Sequence, residues 1–156
     1  MIELIRAGER DAQTLWEMQK EAFAAMFETY RDYDTSPANE PLEKVLMRLR
    51  QPYTYFYYIA SDGKIVGAIR VIDKKDGSRK KISPLFIAPA HRNRGYAQRA
   101  MEEAERIHGR DHWALDTILQ EAGNCHLYEK MGYRRTGKQT PINERMTLVF
   151  YEKDAE

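Results

Sequence analysis

The sequence predicts an α+β fold, in which a mixed, mostly antiparallel central sheet is flanked by helices. Three β-prone stretches lie within residues 53–88 and are separated by short polar turns, which predicts an antiparallel meander. A strand–helix–strand order follows over residues 80–119, which predicts a crossover between parallel strands. Residues 12–30 place apolar side chains at helical spacing, which adds a helix before the meander.

Length and charge bound the class of protein. The chain of 156 residues has the length of one domain with an adequate core, so we expect residues 1–156 to form a single domain. A formal net charge of +1 gives no bulk attraction to nucleic acid or to an acidic membrane. No apolar run approaches the roughly 20 residues of a membrane span. We therefore expect neither a nucleic-acid nor a membrane partner.

The cysteine and histidine content limits the chemistry. The single cysteine, Cys125, excludes a disulfide within the chain, and the N-terminal residues lack a signal-peptide core, so we expect a cytoplasmic protein. His and Cys do not stand at metal-ligand spacings, so no metal site is expected. We interpret Cys125 as a packing residue rather than a nucleophile, because its neighbour His126 would point about 100° away on a helix. We expect His91 and His108 to face solvent.

The elements follow in chain order from periodicity and turn residues. Residues 2–6 alternate as a short strand, residues 12–30 form the first helix, and Pro41 opens a second helix that ends before Pro52. The remaining elements are strands at 53–60, 65–72 and 80–88, a helix at 97–109, a strand at 113–119, a helix at 125–131, and strands at 133–136 and 146–151. Residues 137–144 contain a proline and are expected to form a loop. The apolar face of the helix at 97–109 is expected to hold Ala97, Ala100, Met101, Ala104 and Ile107.

The end of the first helix mixes aromatic and acidic side chains. Phe27, Tyr30 and Tyr33 stand close in sequence to Asp32 and Asp34. Aromatic walls with a few polar groups are typical of ligand pockets and would suit a cation, so this region is a candidate substrate site. The alternative is that the same aromatic side chains pack on the surface.

A basic turn containing glycine connects the strand at 80–88 to the helix that follows it. The first turn of a helix carries unpaired N–H groups and the positive end of the helix dipole. Gly95 has no side chain to keep a ligand away, and Arg92 and Arg94 add positive charge. The turn is therefore a candidate site for a phosphate or pyrophosphate. An ordinary strand-to-helix turn is the alternative, because Arg-x-x-Gly-x-Ala is neither the Walker pattern nor the dinucleotide fingerprint.

The element order and two segments together resemble the GNAT superfamily of acyl-CoA N-acyltransferases. The segments are the turn Arg92-x-x-Gly95-x-Ala97 and residues 124–133, NCHLYEKMGY, with a strand between them. The resemblance covers nearly the whole chain and is sharpest over residues 85–133. It implies a GNAT-like fold, acetyl-CoA as cofactor, and transfer of the acetyl group to a primary amine of a small molecule or peptide by direct attack in a ternary complex. Dimers are common in this family, so a homodimer is a further expectation to test.

The resemblance also assigns the cofactor contacts. The family's pyrophosphate loop matches residues 92–97, and the strand whose free backbone groups hold the pantetheine arm matches residues 85–87. An amide aimed at the thioester carbonyl there would act as an oxyanion hole. Asn124 is interpreted as a cofactor contact at the mouth of the next helix, with helix capping as its alternative role. The expected cofactor-binding residues are Leu85, Phe86, Ile87, Arg92, Asn93, Arg94, Gly95, Tyr96, Ala97 and Asn124.

Tyr128 matches the family's tyrosine in Leu-Tyr-Glu-Lys-x-Gly-Tyr, whose role there is general acid. A phenol pKa of about 10 and a thiol pKa of about 8.5 make proton transfer to a leaving thiolate uphill by about 1.5 units, or about 2 kcal/mol. A site could offset this difference. The alternative is that Tyr128 only packs against its neighbours.

The general base is left unassigned. Many family members carry a glutamate in the strand matched here by residues 80–88, which contains no carboxylate. Glu121 occupies a position where the family often has asparagine. Three groups could accept the proton of a substrate ammonium through water, namely Asp116, Glu121 or a carboxylate near Tyr33. Asp116 is expected on the opposite strand face from Trp113. The expected acceptor-site residues are Phe27, Tyr30, Tyr33 and Asp116. The rival interpretation is a catalytically silent module that binds CoA or acyl-CoA as a sensor or scaffold.

Overall fold

The computed structural model describes residues 1–155, which form seven strands and four α-helices. The helices are α1 (Ala12–Tyr30), α2 (Leu42–Arg50), α3 (Tyr96–His108) and α4 (Ala122–Lys130). The strands are β1 (Ile2–Arg6), β2 (Thr54–Ser61), β3 (Lys64–Ile72), β4 (Lys80–Ile87), β5 (Trp113–Ile118), β6 (Arg134–Asn143) and β7 (Met146–Lys153). None of the helices in this range is long and apolar enough to cross a bilayer.

All these strands join one sheet in the order β1-β2-β3-β4-β5-β7-β6. Every neighbouring pair is antiparallel except β4 and β5, which are parallel and are connected through α3. The predicted α+β fold with a mixed, mostly antiparallel sheet is therefore confirmed, as is the single parallel crossover.

Helices cover both faces of the sheet, because alternate residues of the central strands point to opposite sides. On one face, Ile69 and Val71 of β3 are buried in the same cluster as Met101 of α3. On the other face, Phe56 of β2 is buried with Leu15 of α1 and with the second helix. The strands between the two layers are thus apolar on both sides and form the rigid centre on which the site is built.

The sheet opens between β4 and β5. These strands pair only at Lys80 with Trp113 and at Lys81 with Ala114. Beyond that point β5 keeps its full pairing with β7, up to Ile118 opposite Leu148, while β4 continues along β3. A cleft therefore separates the C-terminal halves of two strands that start as neighbours.

A bulge in β4 lies at the start of this cleft. Ile82 pairs with Val71 and Leu85 pairs with Ile69, so residues 83–84 together oppose the single residue Arg70 of β3. The buried Arg70 guanidinium donates to the Ser83 carbonyl oxygen over 2.8 Å. The bulge bends β4, and the bond from Arg70 fixes its position.

Two predictions about the last strands and α4 were wrong. Residues 137–144, expected as a loop, mostly belong to β6, where Thr140 pairs with Leu148. Glycine and proline are tolerated there because β6 is an edge strand and its pairing is irregular around Gly137. Helix α4 begins one turn earlier than expected, so the capping position is Glu121 and Asn124 lies inside the first turn. The alternative capping role of Asn124 is therefore excluded.

The last turn of α3 also departs from the sequence prediction. Ile107, expected on the buried face, is 44% exposed. The His108 side chain, expected in solvent, is only 6% exposed. Its ring lies 4.8 Å from the Tyr55 ring, and its Nε2 atom is 2.9 Å from the Tyr57 hydroxyl. Both tyrosines come from β2, so only the tertiary fold reveals this environment.

Candidate active site

Two adjoining cavities occupy the cleft between β4 and β5. The larger has a volume of about 580 Å³ and the smaller of about 250 Å³. They share a wall formed by Phe23 and Met26 of α1, Leu85 of β4, and Asn124 and Tyr128 of α4. A ligand in one cavity would therefore meet a ligand in the other at Leu85 and Tyr128.

The larger cavity collects nearly all the residues predicted to bind the cofactor. Its wall includes Leu85, Phe86, Ile87, Arg92, Asn93, Gly95, Tyr96, Ala97 and Asn124. Arg94 is exposed and does not line either cavity. The predicted strand end and the predicted turn thus form one continuous surface.

The turn into α3 presents a run of backbone N–H groups to this cavity. Within the described chain, the amides of residues 93–98 donate to no protein acceptor, and the first bond of the helix runs from the Arg99 amide to the Gly95 carbonyl oxygen. Asn93 and Gly95 both adopt the left-handed conformation, with φ of 64° and 78°. A Cβ atom at Gly95 would have only the Arg99 side chain near it, at 4.0 Å, so the space before these amides is open. Consecutive free amides at a helix N-terminus bind anions.

Arg92 holds the turn into α3 in place. Its Nε donates to the Ile87 carbonyl oxygen over 3.2 Å, and its Nη2 donates to the Ala22 carbonyl oxygen of α1. The guanidinium therefore ties the turn to the end of β4 and to α1. Sequence reasoning assigned Arg92 to the phosphate itself, and these two bonds add a positioning role that no local pattern signals.

The Tyr128 side chain projects from α4 into the wall shared by both cavities. Its ring packs edge-on against Tyr133 and Tyr151, with centroids 6.2 Å away in each case. The hydroxyl has no hydrogen-bond partner among the described residues. Burial raises the Tyr128 pKa to about 12, and the negative charge of Asp116 acts in the same direction. The phenol is therefore protonated and available as a donor at neutral pH.

Asp116 lies on β5 and lines the smaller cavity. Its side chain is accessible from the cleft, yet the surrounding walls remove part of its hydration. Burial therefore raises the Asp116 pKa above its ordinary value, while Lys81 and Lys138 oppose the shift. In the described chain its carboxylate accepts no hydrogen bond. Asp116 is thus an exposed carboxylate with free lone pairs at the wall of the smaller cavity.

Comparison with known proteins identifies the family. Residues 13–133 match the model of the Acetyltransferase (GNAT) family. The chain belongs to this family. The resemblance inferred from the glycine turn and from residues 124–133 is therefore confirmed.

This GNAT chain is similar to individual proteins in sequence or in structure. It is 25% identical over 129 residues to the probable N-acetyltransferase family 8 member 5 of Mus musculus, with 78% of this chain aligned. That alignment covers 57% of the mouse protein, so the chain spans little more than half the length of this relative. The ribosomal-protein-S18-alanine N-acetyltransferase of Escherichia coli superposes with a TM-score of 0.75 at 11% identity, covering 99% of this chain and 94% of the other.

A second solved structure was determined with a bound ligand. PaiA N-acetyltransferase of Thermoplasma acidophilum, in complex with coenzyme A, superposes with a TM-score of 0.73 at 18% identity, over 99% of both chains. At these identities the structural likenesses show the fold alone.

The smaller cavity contains two of the three aromatic residues predicted for the acceptor site. Phe27 and Tyr30 line the smaller cavity. Tyr33 is 62% exposed and lines neither cavity, and its ring instead packs on Phe27 with centroids 5.2 Å apart. Asp32 also lines the smaller cavity, but its carboxylate accepts bonds from the amides of Asp34 and Thr35 and from the Thr35 hydroxyl. It therefore stabilises the local turn.

Tyr30 connects the two cavities through Glu121. The Tyr30 hydroxyl donates to Glu121 Oε2 over 2.5 Å, and burial is the largest cause that raises the Tyr30 pKa to about 12. Asn143 donates to the Tyr30 carbonyl oxygen over 2.8 Å, which ties the end of α1 to the β6–β7 hairpin. Glu121, one of the carboxylates considered as a base, is thus engaged by a donor, whereas Asp116 is not.

Several residues of the smaller cavity were missed in the sequence. They come from residues 35–37, which follow α1, and from Met146 and Leu148 of β7. Gln19 and Arg48 both bond the Glu40 carboxylate, at 2.8 Å and 2.6 Å, and so hold the segment between α1 and α2 against the cleft. Leu148 could have been identified only from its pairing with Ile118, and this pairing depends on the order of the strands in the sheet and not on a local sequence pattern.

The remaining candidates lie as follows. Cys125 is buried, lines neither cavity, and directs its Sγ toward the Ile118 carbonyl oxygen at 3.8 Å. This environment agrees with a packing role. His91, expected in solvent, is partly buried and lines the larger cavity.

Proposed function

We propose that this chain is an N-acetyltransferase that transfers the acetyl group of acetyl-CoA to a primary amine by direct attack in a ternary complex. One observation carries the proposal: the cleft joins an anion-binding turn to a pair of proton-transfer groups, Tyr128 and Asp116, across a shared wall. We further propose that residues 1–156 act as one domain, because all strands of the described residues share one sheet.

The residues of the larger cavity fit coenzyme A. The free amides of residues 93–98 suit a diphosphate, since several N–H donors converge with the positive end of α3. Past Lys81, the edge of β4 that faces the cleft has no strand partner, so its backbone groups, apart from the Ile87 carbonyl oxygen that accepts from Arg92, are free for an amide-rich chain such as pantetheine. A volume of about 580 Å³ suits a ligand larger than a simple metabolite. The CoA complex of the Thermoplasma relative supports the same assignment.

Acetyl-CoA supplies a thioester that an unprotonated amine can acylate. The chain's first task is therefore to remove a proton from the incoming ammonium, whose pKa is about 10.4 if it resembles lysine. Asp116 accepts that proton, directly or through one water. Because burial raises the Asp116 pKa, the difference between the pKa of the ammonium that donates the proton and that of the carboxylate that accepts it is smaller.

Tyr128 donates a proton to the departing sulfur. With a Tyr128 pKa of about 12 and a free thiol pKa of about 8.5, proton transfer is uphill by about 3.5 pKa units, or about 5 kcal/mol. Two effects reduce this difference. Burial penalises a thiolate in the same cleft as it penalises the phenolate. When Asp116 takes up a proton it also loses the negative charge that helps to raise the Tyr128 pKa.

The experiment that tests the function combines binding and transfer. Thermal unfolding is recorded with acetyl-CoA, CoA or ATP, and thiol release is then followed with a panel of primary amines. We expect stabilisation by acetyl-CoA and CoA but not ATP, since a ligand at 100 times its dissociation constant adds roughly 2.7 kcal/mol. Amine-dependent thiol release would distinguish the enzyme from a silent CoA-binding module. Absence of stabilisation by either CoA species would overturn the cofactor assignment.

A further inference from the structure

The smaller cavity carries information about the acceptor amine. It lies beside the cofactor cavity, and its wall includes both Asp116 and Tyr128. Its volume of about 250 Å³ is less than half the volume of about 580 Å³ of the cofactor cavity. The part of an acceptor that lies inside it is therefore small, about the size of a single ring with a short side chain.

The charged residues that line this cavity are carboxylates, while Lys81 and Lys138 act on Asp116 from outside the lining. Among the described residues that line it, there is no lysine, arginine or histidine. Two carboxylates line it, but Asp32 is occupied by the amides of residues 34–35 and by the Thr35 hydroxyl. Asp116 is therefore the carboxylate that remains available to an ammonium group.

The rest of the wall is mainly apolar. Phe23, Met26 and Phe27 of α1 lie on one side, and Ile118 and Leu148 of the β5–β7 pair lie on the other. Aromatic and aliphatic walls favour an uncharged apolar body. A carboxylate on the acceptor would find no cation among the lining residues and would lie near Asp116, and a second ammonium would find no further free carboxylate in the lining. Burying either charge unpaired is costly.

We propose that the acceptor is a small primary monoamine with an apolar or aromatic body and no carboxylate. Asp116 binds its ammonium group, and the apolar walls bind its body. An arylalkylamine such as 2-phenylethylamine is the simplest member of this class. This inference rests on the proposed acetyl transfer and specifies its substrate.

The test compares amines that differ in one charge. The protein is assayed at saturating acetyl-CoA with one of four amines. The reference is 2-phenylethylamine; phenylalanine adds a carboxylate and spermidine adds ammonium groups. The fourth amine is a peptide that begins with phenylalanine. We expect kcat/KM for 2-phenylethylamine to exceed each of the others by about a hundredfold, because an unpaired buried charge weakens binding strongly. Equal or better use of phenylalanine, spermidine or the peptide would overturn the proposal.

A variant pair assigns the discrimination to Asp116. In Asp116→Asn the ratio of kcat/KM for 2-phenylethylamine over phenylalanine is expected to fall about tenfold, because the phenylalanine carboxylate is no longer repelled, whereas both amines lose the same ammonium partner. Loss of a general base would lower both rates and leave this ratio unchanged. Glu28→Gln makes the same chemical change at an exposed position of α1 outside both cavities, and the ratio should stay constant. An unchanged ratio in Asp116→Asn would contradict the proposed recognition.

A binding measurement keeps the inference separate from catalysis. Titration calorimetry of 2-phenylethylamine and phenylalanine into the protein–CoA complex reports selectivity even if no amine is acetylated. Tight CoA binding and selective amine binding without turnover would refute acetyl transfer but support the class of ligand. Turnover of another kind of amine would support acetyl transfer and refute the class.

Discussion

The two halves of the cleft are built from different parts of the polypeptide. The cofactor half, as we name the part proposed to bind acetyl-CoA, uses mainly backbone: the free amides of residues 93–98, the left-handed turn at Gly95, and the edge of β4 that has no strand partner. The acceptor half uses side chains, among them Phe27 of α1, Asp116 of β5 and a leucine of β7. Backbone groups are the same in every residue, so the first half constrains only a few side chains, whereas the second depends on each one.

This difference predicts that substitutions in the two halves of the cleft will have different effects. Substitutions in the acceptor half should change turnover and selectivity and leave acetyl-CoA binding intact. Substitutions in the cofactor half should change acetyl-CoA affinity and matter only where they alter the backbone or block it. The following variants test this separation, each with the best amine found in the panel.

Tyr128→Phe should have the largest effect. The variant keeps the ring that packs on Tyr133 and Tyr151 but removes the hydroxyl, so we expect kcat to fall at least about a hundredfold, as loss of a general acid does. Thermal stabilisation by acetyl-CoA should stay within experimental error. Tyr53→Phe, a partly buried tyrosine outside both cavities, is the matched control and should turn over normally. Full activity of Tyr128→Phe would remove Tyr128 from the mechanism.

Asp116→Asn should lower kcat/KM by about ten- to a hundredfold, because the proton acceptor is lost. In the wild type, kcat/KM should fall with decreasing pH as Asp116 becomes protonated, at a pH above the ordinary aspartate pKa of about 3.9, since burial raises this pKa. The Asp116→Asn variant should lack this fall of kcat/KM at acidic pH. If the fall were unchanged in the variant, it would have to come from the titration of another group.

The same substitution should stabilise the fold. A carboxyl group whose pKa is raised on folding contributes stability below its unfolded pKa and loses that contribution as pH rises through the folded pKa. At pH 7, ionised Asp116 therefore disfavours the folded state, and the neutral amide removes this cost. We expect a higher Tm for Asp116→Asn at pH 7, with the gain shrinking as the pH falls toward about 3.9. A lower Tm at pH 7 would show that the carboxylate has a stabilising partner.

Gly95→Ala tests the cofactor half. An L-residue at φ of 78° costs about 1 kcal/mol or more, and the new methyl group projects where the anion would bind. We expect acetyl-CoA affinity to weaken about tenfold while kcat at saturating acetyl-CoA stays nearly constant. Gly77→Ala places the same change at φ of 91° in the β3–β4 loop and reports the backbone cost alone. Equal acetyl-CoA affinities in the two variants would argue against an anion site at Gly95.

The contrast between backbone and side chains also explains what the sequence could predict. The turn at Gly95 and the end of β4 are encoded by short continuous patterns, so the sequence alone could predict that both line one cavity. The sheet class followed from the change of period between helices and strands. The extent of β6 was missed because Gly137 and Pro141 have the composition of a loop, and only the edge position makes them acceptable in a strand.

The acceptor half could not be assembled from local patterns. The Tyr30–Glu121 bond joins α1 to the start of α4, and the bond from Arg92 to Ala22 joins the anion turn to the same helix. Each depends on which helices cover which face of the sheet. Asp116 was identified as one of several carboxylates, and its distinction from Glu121 required knowing that Glu121 already has a donor.

Tyr33→Ala should have the smallest effect and gives the sharpest test of where the acceptor half ends. In sequence, Tyr33 was a candidate equal to Phe27 and Tyr30, yet its side chain is largely exposed and lies outside both cavities. Substitutions at such positions usually change free energies by less than about 0.5 kcal/mol, so kcat/KM should stay within about twofold of the wild type. Phe27→Ala, which opens the cavity wall beneath it, should instead raise KM for the amine several-fold. If Tyr33→Ala raised KM as much as Phe27→Ala, the substrate would extend beyond the cavity, and residues 33–34 would belong to the acceptor site.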